Sequence, residues 1–344
     1  MPVYIVLLLL LVSCGTGGRR NVVGDDACGW VPGTPAGILA DTVAIDTMGV
    51  SNPFITYDDA SDMYYMLADG GYMWMSRNMR LWHGPYDVMM QDTASWIGKA
   101  PDVYSPEIHS YNGRYYYMAT FERGDTLVTG TDGKPFPRTS CTVLVADRIT
   151  GPYRTIDAGR NLLDVHEKAL HPTFCTDEYG AGYMIYCHDA SQNGDGTVQI
   201  VLFSDDLGHR LGDAYIMFTA SMNDWSGIVV DGKNVFSPVM EAPFHFVTDG
   251  GMVGLLFTTY VAGEKAIGVA YSETGHLDGP WIIEPEPLIK GNVGGASMFR
   301  DYDGTLVMTI QKDTIINGKE MSVPRLLKME SQFEKLQIKG YYKF

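Results

Sequence analysis

The chain has 344 residues, of which 45% are hydrophobic and 12% aromatic, with 39 Gly and 17 Pro. This composition is typical of a globular protein with many strands and turns, and it excludes a disordered chain. The formal net charge of -16 argues against a nucleic-acid partner, because binding phosphates requires a surface rich in Lys and Arg.

The first predicted element is an apolar run from Val3 to Val12 that ends in Leu11-Val12-Ser13-Cys14. The run is too short to span a bilayer as a helix, but it suits the core of a signal peptide. Its end resembles a bacterial lipobox, in which the cysteine is lipidated and begins the mature chain. We therefore expect residues 1–14 to be a signal peptide with Cys14 as the lipidation site, followed by a flexible tether over residues 15–30.

This interpretation predicts an exported protein, anchored by lipid to a bacterial membrane in the periplasm or at the cell surface. The membrane would then be a partner only through the N-terminal anchor. No Lys or Arg precedes the apolar run, which is a departure from ordinary signal peptides. A buried strand is the alternative interpretation.

From Gly49 onward one pattern recurs: a few strand residues, a turn signal, and a second strand rich in Tyr, Phe, Val, Leu or Met. The copies are GVSNPFITYDDASDMYYM, SPEIHSYNGRYYYMAT, HPTFCTDEYGAGYMIYC, EAPFHFVTDGGMVGLLF and ASMFRDYDGTLVMTI. A further strand follows most copies. Four strands per repeat are typical of a propeller blade, so we predict an all-β domain over residues 31–344, a five-bladed β-propeller with four antiparallel strands per blade.

The residues that head the copies are candidates for a shared site, because the first strand of each propeller blade lines the central channel. These head residues are Asn52, Glu107, His171, Glu241 and Ala296. Most of them are polar or ionisable, and polar groups that converge in a concave aromatic setting suit a small-molecule or glycan site. The alternative is that they cap strand ends and bind water in the channel.

Several segments together carry a resemblance to a known family. They are NPFI, YSPEIHSYNGRYYYMAT, VLVADRITGPY, LHPTFCTDEYGAGYMIYCHDASQNGDGTVQIVLFSDDL, EAPF and IGVAYSETGHLDGPW. In their order and spacing, the chain resembles glycoside hydrolase family 43, whose five-bladed propellers cleave arabinose-, xylose- and galactose-containing glycans with inversion. The resemblance covers most of the chain beyond residue 45. It implies an oligosaccharide or polysaccharide substrate and no cofactor.

The resemblance also implies roles for three head residues. Inverting hydrolysis uses one carboxylic acid to protonate the leaving oxygen and one carboxylate to activate water. The family's base, pKa-tuning aspartate and acid fall on Asn52, His171 and Glu241. Only Glu241 keeps its chemistry, because an amide cannot take a proton at neutral pH. We expect Glu241 to be the acid, and Glu107 or His171 to activate a water held by Asn52.

Four further residues are candidates for substrate binding. Phe54, Tyr104 and Phe244 are expected to form a sugar platform near the funnel. His188 follows on the second strand of blade three, although a core hydrogen bond is the more frequent role for a lone strand histidine. Blade five has Gly295-Ala296 where the family often has a histidine near a metal, so we expect no tightly bound metal.

Two functions from different classes stay open at this point. The first is a glycosidase with an altered catalytic set, which the retained Glu241 favours. The second is a catalytically inactive, lipid-anchored glycan-binding protein derived from such an enzyme. The changes at Asn52, His171 and Ala296 together favour the second.

The cysteines beyond the leader are Cys28, Cys141, Cys175 and Cys187, and their spacing matches no zinc-binding pattern. Cys175 and Cys187 flank one predicted hairpin, so a disulfide between them is one interpretation. We favour buried free thiols.

Overall fold

The computed structural model describes residues 41–90, 92–156, 159–316, 318–331 and 335–344. The predicted signal peptide, its Cys14 and the tether lie outside the described residues. Within the described part of the chain, no helix has the length and apolar character needed to cross a membrane.

Blade one contains five strands, because the first described strand joins its outer edge. Its strands are β1 (Asp41–Ala44), β2 (Phe54–Asp58), β3 (Met63–Leu67), β4 (Met73–Ser76) and β5 (Leu81–Tyr86). Blade two contains β6 (Asp102–Tyr111), β7 (Arg114–Thr129), β8 (Pro135–Ala146) and β9 (Arg154–Thr155). Blade three contains β10 (Ala169–Thr176), β11 (Gly182–His188), β12 (Thr197–Leu202) and β13 (Tyr215–Thr219).

A small hairpin of β14 (Ile228–Val230) and β15 (Lys233–Val235) separates blades three and four. Blade four contains β16 (Glu241–Val247), β17 (Val253–Val261), β18 (Glu264–Ser272) and β19 (Trp281–Ile283). Blade five contains β20 (Val293–Arg300), β21 (Leu306–Ile316), β22 (Lys319–Glu330) and β23 (Gln337–Tyr341). The short helices are α1 (Ala190–Asn193) and the 3-10 turns Ile45–Thr47 and Ala220–Met222.

The five blade sheets are antiparallel, and apart from β1 their strands follow one another outward in chain order. The predicted fold class, an all-β five-bladed propeller with four antiparallel strands per blade, is therefore confirmed, with β1 as an addition to blade one.

The hydrophobic core lies between neighbouring blades, so the middle strands are apolar on both faces. In β11, Met184 and Tyr186 pack toward blade two. Ile185 and Cys187, which alternate with them, pack toward blade four. The Cys187 thiol is free and buried, as are those of Cys141 and Cys175, in agreement with the free thiols expected at these three positions. Cys28 lies outside the described residues.

Near the start of each innermost strand, one residue has the left-handed backbone conformation and comes directly before a proline or Ala296. These residues are Asn52 (φ 49), Ser105 (φ 47), His171 (φ 55), Ala242 (φ 47) and Gly295 (φ 55). In blades two to five the strand register shifts at this point, so the left-handed residue forms a β-bulge. Proline fits beside a bulge because it has no N–H to donate to the ladder.

The bulges show that the alignment of the head residues predicted from the sequence was wrong in blades two and four. Ser105 and Ala242, rather than Glu107 and Glu241, are structurally equivalent to Asn52 and His171. An inserted bulge residue changes the direction of the side chains around it, so neighbours in sequence face different spaces.

A side chain on the second strand of one blade, or just after that strand in blade one, accepts a hydrogen bond from the backbone N–H of the left-handed residue in the next blade. We call these contacts inter-blade latches. They are Asp69 Oδ1 to Ser105 N (2.8 Å), Thr120 Oγ1 to His171 N (2.7 Å), Thr258 Oγ1 to Gly295 N (3.0 Å) and Gln311 Oε1 to Asn52 N (3.0 Å). Three latches use a neutral oxygen, and the one between blades one and two uses a carboxylate.

Candidate active site

Two adjoining spaces lie at the propeller axis. The central channel is a narrow space of ≈ 20 Å³ that is lined by the bulge residues, the prolines after them and Glu107. The funnel cavity is wider, ≈ 200 Å³, and it shares Asn52, His171, Ala242 and Gly295 with the channel. Its other polar groups are Ser51, Asp69, Glu241, Thr258, Lys265, Gln311 and Ser322. This cavity is the candidate active site.

Glu241 begins β16 and lines the funnel cavity, opposite Thr258 on β17. Its side chain is half-buried. Among the described residues, no hydrogen-bond donor or cation contacts its carboxylate at hydrogen-bonding or ion-pair distance. A carboxyl group that none of these described residues engages is available to a substrate, as a general acid must be.

Both the backbone N–H and the side-chain amide of Asn52 are held by hydrogen bonds. Its backbone N–H donates to Gln311 at 3.0 Å, and its Nδ2 donates to both carboxylate oxygens of Asp69 at 3.1 and 3.0 Å. Because the NH2 group is engaged, the amide oxygen is left as an acceptor. That oxygen lies against Gly295, where a Cβ would stand 2.6 Å from it. The arrangement orients Asn52 to hold a water or hydroxyl by its oxygen.

Asp69 was missed by the sequence analysis, although it lines the same cavity. Burial raises the pKa of its carboxyl group. Hydrogen bonds from Ser105 and Asn52, and the nearby His171 and Lys265, act in the opposite direction without cancelling this rise. Asp69 and Glu241 are the carboxylates among the described residues that line the funnel cavity.

The position of Asp69 follows from the hairpin register. Phe54 pairs with Leu67, and the ladder continues to Asp69, whose N–H donates to the carbonyl of Ser51 at 3.0 Å. Asp69 therefore lies beside Asn52 although the two are separated by the whole hairpin. The sequence signal that finds Asp69 is the register of the hairpin: extending the pairing of Phe54 with Leu67 by two residues on each strand, away from the turn, places Asp69 opposite Asn52.

His171 is oriented by blade two. Its Nδ1 lies 2.5 Å from the hydroxyl of Ser105, and its backbone N–H donates to Thr120. His171 lines both the central channel and the funnel cavity. Asn52, His171 and Glu241 are thus brought together.

Glu107 does not line the funnel cavity. It lines the central channel and is only 8% exposed. Its Oε2 accepts from Thr173 at 2.8 Å and contacts Nε2 of His109 at 2.7 Å. Burial raises the pKa of Glu107, while His109 and Thr173 act against that rise. The fifth head residue, Ala296, also lines the channel rather than the funnel cavity.

The candidate substrate-binding residues are distributed between core and surface. Phe54 and Phe244 are buried in the core between blades. Tyr104 is 37% exposed and close enough to Asp69 for that carboxylate to contribute to its raised pKa, which is due first to burial. His188 is buried, with Nε2 2.8 Å from Gln192 and Nδ1 3.3 Å from Glu167, the core contacts of the alternative interpretation. Tyr104 is the one of the four with an exposed ring.

A polar network on blade five closes the other side of the cavity, and the sequence analysis missed it. Asp313 accepts from Gln311 Nε2 (2.6 Å), Ser322 Oγ (2.6 Å) and Lys265 Nζ (3.1 Å). Burial alone would lower the pKa of Lys265, but Asp313 outweighs it and the net pKa is raised. The charged Lys265 therefore supplies a fixed positive group beside Glu241 and Asp69.

Comparison with known proteins gives a family match and several similar structures. The family described as Glycosyl hydrolases family 43 matches residues 45–316. No curated protein matches the chain.

Three solved structures are similar to this chain. An endo-arabinase from Bacteroides thetaiotaomicron has a TM-score of 0.72 and 23% identity, over 85% of this chain and 99% of that one. An endo-1,4-beta-xylanase from the same organism has a TM-score of 0.64 and 14% identity, over 88% and 97%. An alpha-L-arabinanase from Cellvibrio cellulosa in complex with arabinohexaose has a TM-score of 0.57 and 14% identity, over 85% and 95%. These identities support a shared fold.

Proposed function

Since the chain belongs to glycosyl hydrolase family 43, we propose that it is a glycosidase that hydrolyses arabinose- or xylose-containing oligosaccharides or polysaccharides with inversion. The similar structures named as arabinanases and a xylanase support this substrate class. The observation that carries the proposal is Glu241, a carboxylic acid left unengaged by the described residues in the funnel cavity, near the acceptor oxygen of Asn52.

In this mechanism, Glu241 protonates the leaving glycosidic oxygen. The amide oxygen of Asn52 holds the attacking water, because its NH2 group is committed to Asp69. Lys265 stabilises the carboxylate that Glu241 becomes after proton transfer. Asn52 itself cannot take the proton of the water, so the base is a different group.

The two bases considered from the sequence differ in position. His171 lies in the cavity with one ring nitrogen on Ser105, so its base function depends on which nitrogen carries the proton. Glu107 lies in the narrow channel and is already bonded to His109 and Thr173.

The experiment is incubation of the purified chain with arabino- and xylo-oligosaccharides and with aryl glycosides of arabinofuranose, xylose and galactose. Product release and the anomeric configuration of the product are followed by NMR. Release of a sugar with inverted configuration is expected. Absence of release across the panel would contradict the proposal.

A second candidate function is glycan binding without hydrolysis. The observation in its favour is the amide at position 52, where the family has its base. A thermal shift with oligosaccharides that never release product would support it over the first.

We also propose that the protein is exported and anchored by a lipid on Cys14, on the basis of the lipobox-like Leu11-Val12-Ser13-Cys14. Fractionation of cells that express the full chain tests this. The full chain is expected with the membranes and a Cys14→Ala variant outside them. Equal distribution of both would contradict the anchor.

A further inference from the structure

The proposed hydrolysis lacks an assigned base, and the funnel cavity contains a carboxylate besides Glu241. We propose that Asp69 is the general base that takes the proton of the attacking water. This inference rests on the proposed glycosidase function. It follows from the placement of Asp69 beside the Asn52 amide, with both groups on the cavity wall.

The inter-blade latches show that a structural role does not require a charge at this position. Thr120, Thr258 and Gln311 perform the equivalent contact with neutral oxygens. A carboxylate costs more to desolvate than a hydroxyl or an amide. The latch between blades one and two therefore does not need a charged group at position 69. A buried charge that the fold does not need is typical of a functional site.

The carboxylate also keeps unused acceptor capacity. Oδ1 accepts from Ser105 N and Asn52 Nδ2, whereas Oδ2 accepts only from Asn52 Nδ2 among the described residues. A carboxylate oxygen has two lone-pair sites, so Oδ2 can accept from a water.

The surroundings of Asp69 raise its pKa and so make its carboxylate a stronger base than an exposed aspartate. Burial raises the pKa of Asp69, and the groups around it are Ser105, Asn52, His171, Lys265 and Tyr104. Lys265 and His171 oppose the rise but do not reverse it. A raised carboxyl pKa brings the group closer to the operating pH, which improves general base catalysis.

The proposed step balances without any co-reactant. The water oxygen forms a bond to the anomeric carbon while its proton moves to Oδ2 of Asp69. The glycosidic C–O bond breaks, and the leaving oxygen takes the proton of Glu241. Solvent then removes the proton from Asp69 and returns one to Glu241.

The test compares Asp69→Asn and Asp69→Thr with Glu241→Gln. Asp69→Asn keeps the size of the side chain. Asp69→Thr supplies the hydroxyl that makes the latch at Thr120 and Thr258, so at least one of the two variants is expected to fold. Each variant is assayed on an oligosaccharide and on a 2,4-dinitrophenyl glycoside of the released sugar. The dinitrophenolate leaves without protonation and therefore needs a base but no acid.

Both Asp69 variants are expected to lose about 10²- to 10⁴-fold in kcat on both substrates. Glu241→Gln is expected to lose the oligosaccharide activity and to retain the dinitrophenyl activity. Added formate, a small external base, is expected to restore part of the activity of the Asp69 variants and none of that of Glu241→Gln. Rescue of this kind is not expected for a merely structural latch.

Two comparisons complete the experiment. Asp249→Asn changes an exposed carboxylate that pairs with Arg300 at 2.6 Å, and it should leave kcat unchanged. Glu107→Gln tests the alternative carboxylate directly. A wild type that hydrolyses while Asp69→Asn keeps its kcat within about threefold overturns the assignment of Asp69 alone. A wild type that hydrolyses nothing overturns the proposed function and the base with it.

Discussion

Gly295→Ala is expected to disturb both stability and the site, because the new Cβ would stand 2.6 Å from Oδ1 of Asn52. The left-handed backbone of Gly295, φ 55, costs a non-glycine residue about 1–2 kcal/mol. Displacing the Asn52 side chain also breaks its hydrogen bonds to the Asp69 carboxylate, which contribute about 1.5–3 kcal/mol. The combined loss of unfolding free energy is about 2.5–5 kcal/mol.

The assay is urea unfolding, together with kcat on the 2,4-dinitrophenyl glycoside of the released sugar. Gly304→Ala is the matched control, since Gly304 also has a positive φ, 84, in blade five but has nothing within 4 Å of a built Cβ. The control should lose only the backbone term, about 1–2 kcal/mol, and keep its kcat. Equal losses for the two variants would refute the clash and the position given to the Asn52 amide.

Further predictions concern the pair formed by Asn52 and Asp69. In the pH profile of kcat/KM, the midpoint of the acidic limb should lie above the ordinary aspartate pKa of about 3.9. The reason is that burial raises the pKa of Asp69, and its protonated form cannot accept a proton. An acidic midpoint at or below that value would contradict this. Because the folded-state pKa of Asp69 is raised, its ionisation costs stability as pH rises through that pKa, so Asp69→Asn should unfold at a Tm no lower than the wild type at pH about 7. A fall of several degrees in thermal melts would indicate that the charge is structural. Asn52→Asp places a second carboxylate about 3 Å from Asp69, so the pair should share a proton and the variant should lose stability as pH rises; a variant more stable at pH 8 than at pH 5 would be inconsistent with that contact.

The fold was predictable because its signals repeat. The recurrence of a short strand, a turn and an aromatic strand gave the number of blades, and the apolar residues on both faces of strands such as β11 reflect burial between neighbours. Antiparallel hairpins are local in sequence, so their pairing follows from the turns.

The site was only partly predictable, since its geometry depends on bulges. A bulge inserts one residue that sequence spacing does not show, so Glu107 was grouped with Asn52 although Ser105 is the equivalent residue. Asp69 was missed for a different reason: it lies after its strand, in a turn-like Asp-Gly pair, and only the extended register places it beside Asn52. Lys265 reaches the cavity from β18, the third strand of blade four, and that approach has no sequence signature.

Glu241→Gln tests the central claim most directly. The wild type and the variant are incubated with the oligosaccharide that the wild type cleaves, and both sugar release and the ligand-induced thermal shift are measured. The account predicts loss of release, by at least about 10²-fold, with the thermal shift retained. Release at the wild-type rate would contradict the role of Glu241 as the acid and, with it, the assignment of the funnel cavity as the active site.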